Sequence, residues 1–361
     1  MPIERVILAK PRGFCAGVER AIEVVEQALQ RAAGPVYVRK EIVHNPHVVT
    51  ALRRKGAVFV EELEGVPEGA VTIFSAHGVS PAVHASAKTR RLNVIDATCP
   101  LVTKVHSEAV RFAREGYTLL LIGHAGHEEV EGTMGEAPAS IRLVQTVEEA
   151  RAVQVDTPEK VAVITQTTLS VEDTRAMIEV LKARFPRLVA PAKDDICYAT
   201  QNRQNAVKAI AAEAEVLLVI GAKNSSNSIR LTEVAEDAGR RAYLINDARE
   251  IDPAWFEGVR CVGVTSGASA PEHLVQEVVE ALKRLGASQV DEWELVREDV
   301  SFGLPAELTR PAPTAPEKSA GTTGRHARPH GRTAVRPPSA ARPPNPGSGE
   351  PARSTQSLPR G

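Results

Sequence analysis

Residues 94–122 read VIDATCPLVTKVHSEAVRFAREGYTLLLI. A short apolar run (94–96) leads through Cys99 and Pro100 into a helix-like stretch (101–114). After Glu115-Gly116 a second apolar run follows (118–122). Short apolar runs of this kind fit strands buried on both faces of a parallel sheet. The same alternation continues outward in both directions. Further apolar runs lie at 6–9, 36–38, 71–74, 161–164, 216–220 and 261–265. Between them are amphipathic stretches, such as Val18, Ala21, Ile22, Val25 and Leu29, or Leu274, Val278, Ala281, Leu282 and Leu285, at helical spacing. Alternating strands and helices predict an α/β fold with mainly parallel sheets.

The turn at Cys99 recurs. Cys15 follows the run at 6–9 and precedes a helix beginning near Gly17; Cys197 precedes a helix over 198–213, although no strong strand run stands directly before it. The three cysteines lie roughly 80–100 residues apart, which suggests three similar α/β modules. A helix N-terminus presents free N–H groups and a positive dipole end, and both favour a thiolate. Three thiolates converging on one metal centre leave one position open, as a catalytic site requires. The fourth cysteine, Cys261, sits inside an apolar strand and reads as a core residue. There is no CxxC pair, which argues against a zinc ribbon or a thioredoxin-like site.

The chain has 361 residues, 43% hydrophobic and 25% charged, within the ordinary range for a globular enzyme. No apolar run approaches the roughly 18 residues of a membrane span, and the first residues carry no secretory pattern. The expected location is the cytoplasm, with no membrane partner. From Pro305 onward nine Lys/Arg stand against three acids, so this tail is about +6 and the remaining body about −7. An acidic body is a poor nucleic-acid binder. The tail is rich in Pro, Arg, Ser and Gly, cannot bury enough apolar surface to offset its ordering entropy, and is expected to be disordered over 305–361.

Other polar residues cluster at predicted strand ends, where open parallel sheets bind ligands. His44, His77 and His127 suggest a basic pocket for an anion. Lys223-Asn224-Ser225-Ser226-Asn227-Ser228, after the run ending at Gly221, offers more hydroxyls and amides than a helix cap needs and reads as a phosphate cradle. Gly267-Ala268-Ser269 occupies the equivalent place after the Cys261 strand. No nucleotide P-loop pattern is present. Thr165-Gln166-Thr167-Thr168, after the run at 161–164, offers hydroxyls that can orient a substrate oxygen, and Glu128, Glu129 and Glu131 are candidate acids. His47, His84, His106 and His124 lack comparable context.

The blocks PRGFCAGV, VHNP, FSAHGVS, DATCPLVTKVH, GHAGHEEVEGTMG, TQTTLS, KDDICYATQNRQ, KNSSNS and GASAPE stand in one order over residues 3–304. Together they resemble the 4-hydroxy-3-methylbut-2-enyl diphosphate reductases, which complete the methylerythritol phosphate route to isoprenoids. The resemblance implies a trefoil of three α/β domains around a central 4Fe–4S cluster with one iron lacking a protein ligand. The domains are expected at 17–99, at 100–196, and at 1–16 plus 197–304. Carried over by motif, Cys15, Cys99 and Cys197 are the cluster ligands. His44, His77, His127, Ser225, Ser226, Asn227 and Ser269 form the diphosphate pocket. Thr167 lies near the substrate hydroxyl, and Glu129 is the proton donor. The implied reaction is two-electron reductive dehydroxylation to isopentenyl and dimethylallyl diphosphate, with electrons from ferredoxin or flavodoxin. The alternative from another class is a non-catalytic iron–sulfur redox or iron sensor, which needs the cysteines but not the anion pocket. Two features depart from the family: Glu128 stands where Pro is frequent, which adds a rival carboxylate beside the expected donor, and the long basic tail is not part of the common core.

Overall fold

The computed structural model describes residues 3–191 and 195–309. Twelve strands build three all-parallel sheets. They are β1 (Arg5–Lys10), β2 (Val36–Arg39), β3 (Ala57–Val60), β4 (Val71–Phe74), β5 (Asn93–Asp96), β6 (Thr118–Ile122), β7 (Ile141–Val144), β8 (Val161–Thr165), β9 (Val216–Ile220), β10 (Arg241–Ile245), β11 (Cys261–Ser266) and β12 (Gln289–Glu294). The first sheet has the order β10-β9-β11-β1-β12, the second β3-β2-β4-β5 and the third β7-β6-β8. All pairings are parallel, for example Arg5 opposite Cys261 and Val36 opposite Val71. Eleven helices connect them: α1 (Ala16–Arg31), α2 (Pro46–Arg54), α3 (Pro81–Thr89), α4 (Pro100–Arg114), α5 (Glu128–Glu136), α6 (Val147–Ala152), α7 (Val171–Arg184), α8 (Tyr198–Ala211), α9 (Ser226–Asp237), α10 (Glu272–Arg284) and α11 (Ala306–Thr309).

Each sheet is covered on both faces, as parallel sheets generally are. The first packs α10 on one side and α8 with α9 on the other. The second packs α1 and α2 on one face, and the third lies between α4 and α7. The three cysteine-bearing turns are where the chain crosses between sheets. β1 belongs to the first sheet, but α1 after Cys15 buries Val18, Ala21, Val24, Val25 and Ala28 against the second. β5 belongs to the second, but α4 after Cys99 buries Val105, Ala109 and Phe112 against the third. Cys197 follows the third sheet, and α8 buries Ala206, Val207 and Ile210 against the first. Each large apolar side chain so buried contributes roughly 1.5–3 kcal/mol, so these crossovers lock the cysteine turns between sheets. The predicted α/β fold with three parallel sheets is what the structure contains.

Two expectations are corrected. Four strands, β3, β7, β10 and β12, have no counterpart among the apolar runs. All four lie at sheet edges and are partly exposed; β7, β10 and β12 carry polar residues that break an apolar run, whereas β3 is a wholly apolar run of four residues that sequence reasoning passed over. The start of the tail also moves. Residues 306–309 form a helical turn, and Leu308 is buried among the residues of α1 and the second sheet, so the folded body continues past Pro305. The rest of the expected disordered tail, 310–361, lies outside the described residues.

Candidate functional site

The carboxyl ends of all three sheets feed one cavity of about 100 Å³. From the first sheet come Cys15 after β1, Ser225 to Asn227 after β9 and Ser269 after β11. The second supplies His44 after β2, His77 after β4 and Cys99 after β5. The third supplies His127 and Glu129 after β6 and Thr167 after β8, followed later in the chain by Cys197. Every site residue expected from sequence lines this cavity. Cys261, in β11, does not, nor do His47, His84, His106 or His124.

Each of the three cysteines is the residue immediately before its helix, preceding α1, α4 and α8. Gly17 explains how two sulfurs reach one side of the cavity: a Cβ there would lie 2.7 Å from Cys99 Sγ and 3.8 Å from Cys15 Sγ. Cys197 is tied in by its amide, which donates to the Thr167 carbonyl at 3.0 Å, and its sulfur accepts from the Thr200 amide at 3.4 Å. Helix ends were expected to favour thiolates, but burial outweighs them at two sites. It pushes the Cys99 thiol up to about 12 and the Cys197 thiol up to about 11, and the nearby cysteines add to both shifts. Cys99 and Cys197, held toward their neutral form by burial, need a cation to ionise. The donor set and the space opposite Gly17 therefore fit a thiolate-ligated metal centre with three protein ligands.

Glu129 is 3% exposed. The Thr167 amide donates to its Oε1 at 2.6 Å, and the Thr167 hydroxyl lies 3.0 Å from its Oε2. Burial raises the carboxyl to about 7 against these hydrogen bonds, and Asp195 adds to the rise. One residue earlier, Glu128 turns elsewhere, as the 100° step of a helix requires. Its Oε2 lies 3.1 Å from His77 Nδ1 and 3.4 Å from the Ser75 hydroxyl. Glu131 pairs with Lys40 and is largely exposed.

The three histidines form one cluster. The rings of His44 and His77 stack with centroids 4.0 Å apart and planes 16° from parallel, and His127 stands edge-on to both. His127 Nδ1 accepts the Glu129 amide at 3.1 Å, which places its ring proton on Nε2. Burial and the other histidines hold it down to about 3, so it is neutral. At the opposite wall, Ser225 caps α9, with Ser226 and Asn227 in its first turn, all at most 7% exposed. Asn227 accepts the Ala268 amide at 2.9 Å, and the Ser269 hydroxyl donates to the His44 carbonyl at 2.9 Å. A helix N-terminus lined by hydroxyls, in one cavity with three imidazoles, can hold an anion.

Sequence reasoning missed the residues that support these groups. Thr200 Oγ1 lies 3.2 Å from Cys197 Sγ. Glu41 holds His44 Nδ1 at 3.1 Å and accepts from Asn224 at 2.9 Å. Buried Arg203 donates to the Gly13 carbonyl at 2.8 Å, next to the Cys15 turn. Thr200 stands three residues past a helix-capping position, a usable signal. Glu41 and Arg203 carry none, because their partners are distant in the chain or set by loop geometry.

The chain is similar to known proteins. The model of the family described as LytB protein matches residues 6–283. The 4-hydroxy-3-methylbut-2-enyl diphosphate reductase of Acidothermus cellulolyticus is 60% identical over 311 residues, covering 86% of this chain and 92% of the relative. The enzyme of the same name from Streptomyces coelicolor is 57% identical over 310 residues, covering 86% and 92%. Among solved structures, the E-1-hydroxy-2-methyl-but-2-enyl-4-diphosphate reductase of Plasmodium falciparum superposes with a TM-score of 0.83 at 37% identity, covering 85% of this chain and 97% of that one.

Proposed function

The chain belongs to the LytB protein family, and from that premise we propose that it is a reductase of (E)-4-hydroxy-3-methylbut-2-enyl diphosphate. It yields isopentenyl and dimethylallyl diphosphate. The observation that carries this reading is the joining, in one cavity, of three helix-capping cysteines, a hydroxyl- and imidazole-lined anion pocket and a buried carboxyl. A cluster sensor needs only the first of the three.

In this reading Cys15, Cys99 and Cys197 hold an iron–sulfur cluster, of the 4Fe–4S type with one iron lacking a protein ligand. When bound, that group supplies electrons and a Lewis-acid position for the substrate hydroxyl. The chain's own residues do the rest. Ser225, Ser226, Asn227 and Ser269, with His44, His77 and His127, hold the diphosphate and so fix the far end of a short substrate. Thr167 orients the hydroxyl end. Glu129 holds a proton near neutral pH because it is buried, and delivers it as the C–O bond breaks. Two electrons and two protons enter, water leaves, and a C–H bond forms at either end of the allyl unit.

The electrons come from a one-electron carrier protein such as ferredoxin or flavodoxin, and the reaction belongs in the cytoplasm. Among the described residues no helix is long and apolar enough to cross a membrane. The three sheets with their covering helices act as three domains meeting at this cavity. Formation of the two products from the allylic diphosphate by anaerobically reconstituted protein tests the reading; cluster binding without turnover would favour the sensor.

A further inference from the structure

The stacked pair His44 and His77 carries a feature that diphosphate binding alone does not require. Each ring is held at Nδ1 by its own carboxylate: Glu41 lies 3.1 Å from His44 Nδ1, and Glu128 lies 3.1 Å from His77 Nδ1. The carboxylates are themselves fixed, Glu41 by Asn224 at 2.9 Å and Glu128 by the Ser75 hydroxyl at 3.4 Å. Among the described residues, the His77 ring makes its hydrogen bonds through Nδ1 alone. Two carboxylate–imidazole pairs thus lie one above the other, with rings 4.0 Å apart.

The ligand atoms of His44, His77 and Glu128 lie within 4.8 Å of one another, close enough for a cation. The ring geometry argues otherwise. Two near-parallel rings hold their in-plane lone pairs in separate planes rather than aiming them at one point. Such a pair suits an extended anion to which both rings donate.

We propose that Glu128 and Glu41 are positioning residues for the diphosphate: each holds its histidine at Nδ1 so that the Nε2 sides of the two stacked rings face one bound anion, and Glu128 supports the second proton with which His77 donates to it. This rests on the reductase reading for the identity of the substrate, but the dyads stand on their own geometry. The physical need is clear. Two stacked imidazoles cannot both charge in a buried site without compensation. Burial and His44 hold His77 toward its neutral form, and Glu128 opposes them. Burial alone would push Glu128 up, yet His77, His44 and Lys40 bring it below its ordinary range. The hydrogen bond from His44 likewise holds Glu41 low. The other groups acting on His77 are the edge-on His127 on the α5 side and Glu41, which favours its charged form; beside Gly78 lies His106, which pairs with Glu136.

The opposing effect is repulsion between Glu128 and the anion. The carboxylate touches His77 directly, whereas the anion sits beyond the ring, so the nearer attraction should win. Calorimetric titration of the cluster-loaded chain with inorganic diphosphate across pH decides between them. Glu128→Gln should weaken binding by roughly tenfold at neutral pH, the usual worth of a charge-assisted hydrogen bond. It should also move the high-pH loss of binding to lower pH, and Glu128→Asp should restore part of the shift. Glu41→Gln should also weaken binding, by releasing the His44 ring from its hold at Nδ1. Unchanged or tighter binding in Glu128→Gln, or a lowered melting temperature with no movement of the pH limb, would overturn the proposal. A wild-type chain that reduces the allylic diphosphate but shows no Glu128-dependent binding keeps the reductase reading and removes this one. A chain with no turnover but Glu128-dependent binding does the reverse.

Discussion

Glu129 and Thr167 are joined twice: the Thr167 amide meets Oε1 at 2.6 Å and its hydroxyl meets Oε2 at 3.0 Å. Glu129, in the first turn of α5 after β6, and Thr167, after β8, follow neighbouring strands of the third sheet. In the proposed reading, the threonine at the substrate hydroxyl is therefore also the residue that aims the proton donor.

The pH dependence follows from that pair. Burial raises Glu129 to about 7, so the carboxyl is protonated below that pH and loses its proton above it. Turnover should fall as pH rises through about 7. Glu129→Gln should reduce kcat by roughly a hundredfold or more, within the usual range for lost acid–base catalysis, and its residual rate should lack that limb. Because the native value lies above the ordinary carboxyl range, the native state holds the proton where the unfolded chain has lost it. Fold stability therefore declines between about pH 4.5 and 7. Urea unfolding should show a shallower decline in Glu129→Gln.

Cys15, Cys99 and Cys197 line the cavity, whereas Cys261 lies in β11 away from it. Replacing any of the first three by Ser should abolish stable iron binding and turnover; Cys261→Ser should keep both. Iron and sulfide analysis of the four variants checks this, and equal losses in all four would contradict it.

Gly17 offers a sharper test of convergence. Alanine favours a helix over glycine by about 0.5–1 kcal/mol, so Gly17→Ala should not weaken α1. Its Cβ would nevertheless lie 2.7 Å from Cys99 Sγ. The variant should fold with a normal melting temperature as apoprotein and incorporate less iron than wild type. Full iron content would show that the sulfurs do not meet there.

Arg203 is wholly buried, bonding the carbonyls of Gly13 and Ala199 and the carboxylate of Glu298. It ties α8, which begins after Cys197, to the turn that carries Cys15. Arg203→Ala leaves a buried acceptor set unpaired and should cost about 3–5 kcal/mol in urea unfolding. Arg203→Lys should lose part of that, since lysine lacks the planar fork.

The fold was legible where strands are buried on both faces, because such strands are continuous apolar runs. It was not legible at β7, β10 and β12, which sit at sheet edges and mix polar with apolar residues, while the apolar β3, only four residues long, was passed over. The cysteines, histidines and serines stood out because they occupy turns at strand ends, where structure alone rarely needs them. Glu41, Thr200 and Arg203 did not, since their partners are set by loop geometry or lie far away in sequence. Glu128 was visible as a rival carboxylate beside Glu129, yet nothing in the chain announced His77, 51 residues earlier, as its partner. Leu308 was lost inside a tail whose composition is otherwise unlike a core.

The most direct test measures turnover against cluster loading. The chain is prepared anaerobically, reconstituted to graded iron and sulfide content, and given (E)-4-hydroxy-3-methylbut-2-enyl diphosphate with a chemical one-electron reductant. The account predicts that isopentenyl and dimethylallyl diphosphate form at a rate proportional to loaded cluster, with none from iron-free protein. No products at full loading, or the same rate without iron, would contradict it.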